Sequence, residues 1–126
     1  MTRDSNDAAL RLALRALTLH RAALHHDRHA RVTEHALAHW ARAHNLPFVT
    51  ACRSQHPLAK QLRAHLRTAT RTRRRRDQLL PTLAATPATS IQAARAKLCV
   101  ARLFIDDDTP AATLLHSLAR DLRHLR

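Results

Sequence analysis

The sequence predicts an all-α protein, a single-domain bundle of four to six helices, and three observations carry that expectation. Gly is absent from all 126 residues, against a usual share of about 7%. Tight hairpins and phosphate-cradling loops need Gly for positive φ or close backbone approach. The apolar residues, 45% of the chain, are mostly Ala and Leu, which favour helix, as does the abundant Arg. Only three Val and two Ile are present, few for a sheet core. The missing Gly also argues against a P-loop and a dinucleotide-binding turn.

The elements follow in order. Asp4, Ser5 and Asn6 are N-cap residues ahead of Leu10, Leu14, Leu17 and Leu24 at helical spacing. The polar run His25-His26-Asp27 leaves two readings open: a break at which Asp27 caps a second helix, or one helix continuing to about His44. Asn45 suits a helix C-terminus because Asn tolerates the left-handed region, and Pro47 follows it. A short element covers Phe48 to about Ser54. Pro57 then suits the first turn of a longer helix reaching Leu79 or Leu80, where Pro81 is expected to stop or kink it.

Residues 81–90 read as a linker-like segment within one domain spanning 1–126. Ser90 can cap a helix carrying Ile91, Ala94, Leu98, Ala101 and Ile105. Asp106-Asp107-Asp108-Thr109-Pro110 marks a further helix start, with Thr109 as cap and the acids complementing the helix dipole. The last helix is expected to bury Leu114, Leu115, Leu118, Leu122 and Leu125. Cys52 and Cys99 show no CxxC spacing, which argues against a disulfide framework or zinc knuckle and suggests a reducing cytoplasm. No apolar stretch approaches the ~20 residues of a membrane span. The expectation is a cytoplasmic protein without a membrane partner.

Charge points to a partner. From His35 to Arg76 there is no Asp or Glu, yet Arg42, Arg53, Lys60, Arg63, Arg67, Arg71, Arg73, Arg74, Arg75 and Arg76 all fall there. This third of the chain therefore holds +10 of the formal +13. A surface that needed only solubility would mix both signs, because packed like charges repel. Nucleic acid is the leading partner class, with an acidic protein as the alternative.

Within the long helix, Lys60, Arg63, Arg67, Arg71 and Arg74 fall within about 80° on the helical wheel, opposite Leu58, Leu62, Ala69 and Leu80. At 1.5 Å per residue the stripe runs about 21 Å, enough to track several backbone phosphates. Arg suits the task because its planar fork holds a phosphate through two hydrogen bonds. Arg73 and Arg76 point toward the apolar side, so the helix there is expected to extend past the core as a positively charged end. The ten cations named above are the candidate nucleic-acid contacts, with duplex DNA favoured over structured RNA. With Trp40, Phe48 and Phe104 as its only rings, the chain lacks a platform for stacking single-stranded bases.

Residues 40–53 resemble a helix-turn-helix unit. Ala41, Asn45 and Leu46 occupy the places of its small, turn and apolar residues, with Asn where Gly is usual. His44 and Ser54 depart from that pattern, and a plain helix-loop-helix corner satisfies the same residues. The resemblance implies that Thr50, Arg53 and Gln55 face the major groove while the basic stripe holds phosphates.

Eleven His are present, with His25/His29 and His35/His39 at i,i+4, a spacing that can place two imidazoles on one metal. No third ligand is implied by spacing, so no metal site and no cofactor is expected. These His raise the positive charge further below pH ~6.5. No arrangement of nucleophile and base is evident around Cys52, His44 and His56, and the expectation is a protein without enzymatic activity. The C-terminal third, with its Thr86-Pro87-Ala88-Thr89 turn, its Ala/Arg/Lys helix and its closing Leu118-Ala119-Arg120-Asp121-Leu122, is similar to small uncharacterised helical proteins of GC-rich bacteria. That resemblance implies a helical fold and carries no activity.

Overall fold

A computed structural model describes residues 8–105, 108 and 110–125. Among them are five helices and no strand: α1 (Ala8–Ala43), α2 (Phe48–Cys52), α3 (Pro57–Ala85), α4 (Ile91–Arg102) and α5 (Pro110–His124). The all-α class expected from composition is therefore what the chain adopts. The N-terminal cap residues Asp4, Ser5 and Asn6, and Asp106, Asp107 and Thr109 before the last helix, lie outside the described residues.

The polar run His25-His26-Asp27 does not break α1, which continues for 36 residues. Its C-terminus is closed by Asn45 at φ 55°. The Leu46 amide donates to the Ala41 carbonyl at 2.8 Å and the Asn45 amide to Arg42 at 3.2 Å. This is the paired closure that a left-handed residue permits at a helix end. Leu46 then packs on the cluster containing Ala41, so the corner is fixed by burial as well as by hydrogen bonds.

Pro57 opens α3, as its fixed φ favours. The His56 Nδ1 accepts from the Leu58 amide at 3.1 Å, satisfying one of the free donors of the first turn. Pro81, expected to stop or kink this helix, instead lies inside it, and four further residues are helical. An interior Pro costs about 3 kcal/mol through its missing N–H and its clash with the preceding turn. Burial of Leu83, 4% exposed, and packing of Leu79 and Leu80 offset that cost. The linker-like segment is thus shorter than 81–90, because residues 81–85 are helical.

The chain divides into two compact units, one of Leu19–Arg75 and the other of Met1–Thr18 with Arg76–Arg126. The division falls within α1 and α3, the two helices too long for either unit, rather than at residues 81–90.

In the 19–75 unit, α1 and α3 meet through Ala30, Leu37, Ala41, Ala51, Ala59 and Leu62, bordered by Trp40, Leu46, Cys52 and Leu58. Leu37 is the largest side chain that is fully enclosed. Trp40 lies between two imidazoles, His44 at 4.9 Å and His56 at 4.2 Å between ring centroids.

The other unit is centred on Ala13, Ala16, Leu83, Ala96 and Val100. Ser90 caps α4 as expected, accepting from the Ala93 amide at 3.0 Å. Ile105, expected in that helix, lies beyond its end at Arg102. The expectation for α5 also needs correction. Its enclosed residues are Ala112 and Ala119, whereas Leu114, Leu118 and Leu125 are exposed by 71%, 47% and 59%. Leu115 and Leu122 are half-buried, so small residues take the enclosed positions while three of the five leucines stay outside, a choice that helical spacing alone cannot reveal.

Candidate nucleic-acid interface

The charge segregates with the fold. The 19–75 unit holds twelve Lys and Arg against two acids, Asp27 and Glu34, for +10 of the formal +13. Arg21, Arg28 and Arg31 belong to this unit although they precede the acid-free stretch, and all three are exposed. A window drawn along the sequence misses them, because they share a unit with the α3 cations only through the fold.

On α3, Ala59, Leu62 and Ala69 face inward at 0%, 4% and 1% exposure. Lys60, Arg67, Arg71 and Arg74 stand exposed on the outside. Arg67, Arg71 and Arg74, with Leu66 and Thr70, line an open cleft of 390 Å³. Thr70 was not legible as part of this surface, since a lone Thr on a helix carries no signal by itself. Arg75 is also exposed, as are Arg42 at the end of α1 and Arg53 just after α2. Seven of the ten sequence-derived contacts therefore present their guanidinium or ammonium groups to solvent.

The other three are used within the protein. Arg63 donates through one guanidinium nitrogen to the carbonyls of Cys52 and Ser54, the latter at 3.0 Å. It thereby satisfies acceptors at the C-terminal end of α2, where the helix dipole favours a cation. Arg73 pairs with Asp27 on α1, which ties α3 to α1. Arg76 is 8% exposed, donates through Nε to Asp77 Oδ1 at 2.9 Å and places its guanidinium 4.8 Å from the centre of the Phe104 ring. The expected positively charged end, free on all sides at Arg73–Arg76, is not formed. Arg73 and Arg76 lie on the inner half of the helix, where a cation needs a partner or a ring face.

Because Arg76 is committed to packing, Arg76→Gln is expected to lower stability by about 1–3 kcal/mol without changing affinity for duplex DNA. Thermal melting and a gel shift on the same variant check this. Loss of DNA affinity at unchanged stability would return Arg76 to the interface.

The corner resembling a helix-turn-helix keeps its left-handed Asn45 but not its second helix. α2 has five residues, under one and a half turns. The Ser54 amide and hydroxyl both turn back to the Ala51 carbonyl, at 3.1 and 2.7 Å, and Arg63 takes the next carbonyls. Those bonds end the helix before it can reach the length of a recognition helix. Thr50, Arg53 and Gln55 are exposed at this corner.

Four histidines gather where α1 meets α3. His25 and His29 meet edge to face at 4.4 Å, and His29 stacks on His65 of α3 at 5.3 Å. His26 and His65 bring their Nδ1 atoms to 3.2 Å, so one nitrogen donates while the other accepts. Among the described residues, no group of three or more His, Cys, Asp or Glu is placed to hold a metal ion. Cys52 and Cys99 are free and half-buried. Among the described residues, no helix is long and apolar enough to cross a membrane.

The 76–126 part of the other unit carries a surface of different character. A cavity of 590 Å³ is lined by apolar side chains including Leu83, Leu98, Val100, Phe104, Leu118 and Leu122. Lys97 also borders it, with its Nζ donating to the Thr86 carbonyl at 2.8 Å. No protein-family model, no curated protein sequence and no solved structure matches this chain.

Proposed function

We propose that this protein binds nucleic acid, duplex DNA ahead of structured RNA, through phosphate contacts from the outer face of α3. The observation that carries the reading is the exposed stripe Lys60, Arg67, Arg71 and Arg74, backed by an alanine and leucine face and free of any acid on its own helix before Asp77. Four cations along about 21 Å match the reach of several phosphates, and Arg75, Arg53 and Arg42 extend the same sign of charge. A short α2 supplies little for reading bases in the major groove, which favours recognition of the backbone over sequence.

The test is a gel shift with a mixed-sequence duplex over a salt series. With about six phosphates contacted, affinity should fall about a thousandfold between 50 and 200 mM salt, and scrambling the duplex sequence should change it little. Absence of binding at 50 mM salt overturns the reading.

A second reading, a protein-interaction module, draws on the other unit. The cavity bordered by Leu98, Phe104 and Leu118, together with exposed Leu114 on α5 and Leu125 just beyond it, forms the kind of apolar surface that protein partners cover. Copurification of a protein partner that survives nuclease treatment would favour it.

A further inference from the structure

The exposed cations of α3 are unevenly spaced. Arg63, which helical spacing places between Lys60 and Arg67, is withdrawn to the carbonyls of Cys52 and Ser54. Lys60 is thereby left alone at one end, about 10 Å along the axis from Arg67. Arg67, Arg71 and Arg74 crowd the other end and, with Leu66 and Thr70, line one open cleft of about 390 Å³. Arg67, Thr70, Arg71 and Arg74 are all exposed. Steps of three and four residues join each of them to two others, so the four form a diamond on the helix surface. Neighbours at such steps have Cβ atoms about 5–6 Å apart, close enough for one anion at the centre to meet all four side chains.

Thr70 is the uncharged polar member of the diamond. Thr68 and Thr72, on either side, turn their hydroxyls back to the carbonyls of Ala64 and Thr68, at 2.9 and 2.7 Å. Among the described residues Thr70 makes no such bond, so its hydroxyl is a donor for the cleft. No acid is among the residues that line the cleft, and Asp77, the next acid along α3, is paired with Arg76. Three guanidinium groups around one space repel each other, and an anion of higher charge offsets that repulsion better. A backbone phosphodiester offers one charge and two free oxygens. A terminal phosphomonoester offers three oxygens and a charge of about −1.5 to −2 at pH 7. Leu66, 49% exposed, gives the cleft an apolar edge, and the apolar surface that a duplex exposes is the face of its last base pair.

We propose that this cleft is a site for the terminal phosphate of a duplex, held by Arg67, Arg71, Arg74 and the Thr70 hydroxyl, with Lys60 meeting the backbone further in. The proposal rests on the α3 reading and makes it more specific: the protein prefers phosphorylated duplex ends to continuous duplex. Thr70 is the residue that adds directional hydrogen bonding to a site otherwise built from charge.

The experiment compares two short duplexes of one sequence in gel shifts with the full chain at 100 mM salt. One carries phosphates on all of its strand termini and the other carries hydroxyls there. The phosphorylated duplex is expected to bind about tenfold more tightly, the scale of a hydrogen bond to a charged group. Lys60→Gln should weaken both complexes alike and keep the preference. Thr70→Val/Arg71→Gln should abolish the preference with the far-UV circular dichroism unchanged, since both side chains are exposed. Equal affinity for the two duplexes overturns the proposal and leaves the α3 reading standing. A preference that survives in Thr70→Val/Arg71→Gln also overturns it, by assigning the effect to the added charge of the duplex in general. So does release of the phosphorylated duplex by an equimolar amount of inorganic phosphate, which would make the cleft a site for free phosphate. Failure of both duplexes to bind at 50 mM salt sinks the α3 reading itself.

Discussion

Replacing Lys60, Arg67, Arg71 and Arg74 together with Gln is expected to lower duplex affinity about a hundredfold or more at 50 mM salt, and to reduce the slope of log affinity against log salt by about 3.6. The far-UV circular dichroism and the melting temperature should be unchanged. All four side chains are exposed and none of them enters a salt bridge among the described residues, so their removal leaves no buried group without a partner. Gln preserves helix propensity close to that of Arg and Lys, so the helix itself is not weakened. The change isolates charge. An unchanged salt slope in this variant overturns the assignment of the stripe to phosphate contacts.

The choice of these four rests on the tertiary structure. A cluster at Arg71 and Arg73–Arg76 is the natural target in the sequence, since it is the densest run of charge. Two of its members are structural: Arg73 is paired with Asp27, and Arg76 is packed against Asp77 and Phe104. A variant of the whole run would mix lost stability with lost binding, and the two effects could not be separated.

The largest stability effect is expected at Leu37. Its side chain is fully enclosed among Ala30, Ala41, Ala51, Ala59 and Leu62. Leu37→Ala should lower stability by about 3 kcal/mol, through lost burial and the cavity left among neighbours too small to fill it. The four alanines around it cannot fill the space by rotating, because methyl groups have no rotamers to exchange. Chemical denaturation followed by circular dichroism measures the loss. A change under about 1 kcal/mol would mean that the α1–α3 contact is not held by this residue.

Several features were legible from residue type and spacing because they depend on local chemistry. Asn45 could be placed at a left-handed helix end, Ser90 at an N-cap and Pro57 in a first turn, since each acts through backbone groups within a few residues. The outward aim of Lys60, Arg67, Arg71 and Arg74 follows from helical spacing alone. By contrast, Arg63 falls on the same wheel position yet turns to the carbonyls of Cys52 and Ser54, an acceptor set created by the end of α2. Pro81 is a local reason for the helix to stop or kink, because its cost is real. Leucine burial on either side of it, at Leu79, Leu80 and Leu83, outweighs that cost.

The sequence by itself determined the helical class, the capped corners and the concentration of positive charge, because propensity, capping and net charge are properties of residues and their near neighbours. Only the tertiary structure decided which cations are free and which are structural. It also showed that Arg21, Arg28 and Arg31 share a unit with the α3 stripe, and that α5 encloses Ala112 and Ala119 while Leu114 and Leu118 stay exposed. The physical reason is that a side chain's partner is set by what packs beside it, and for Arg73 that partner is an aspartate forty-six residues away.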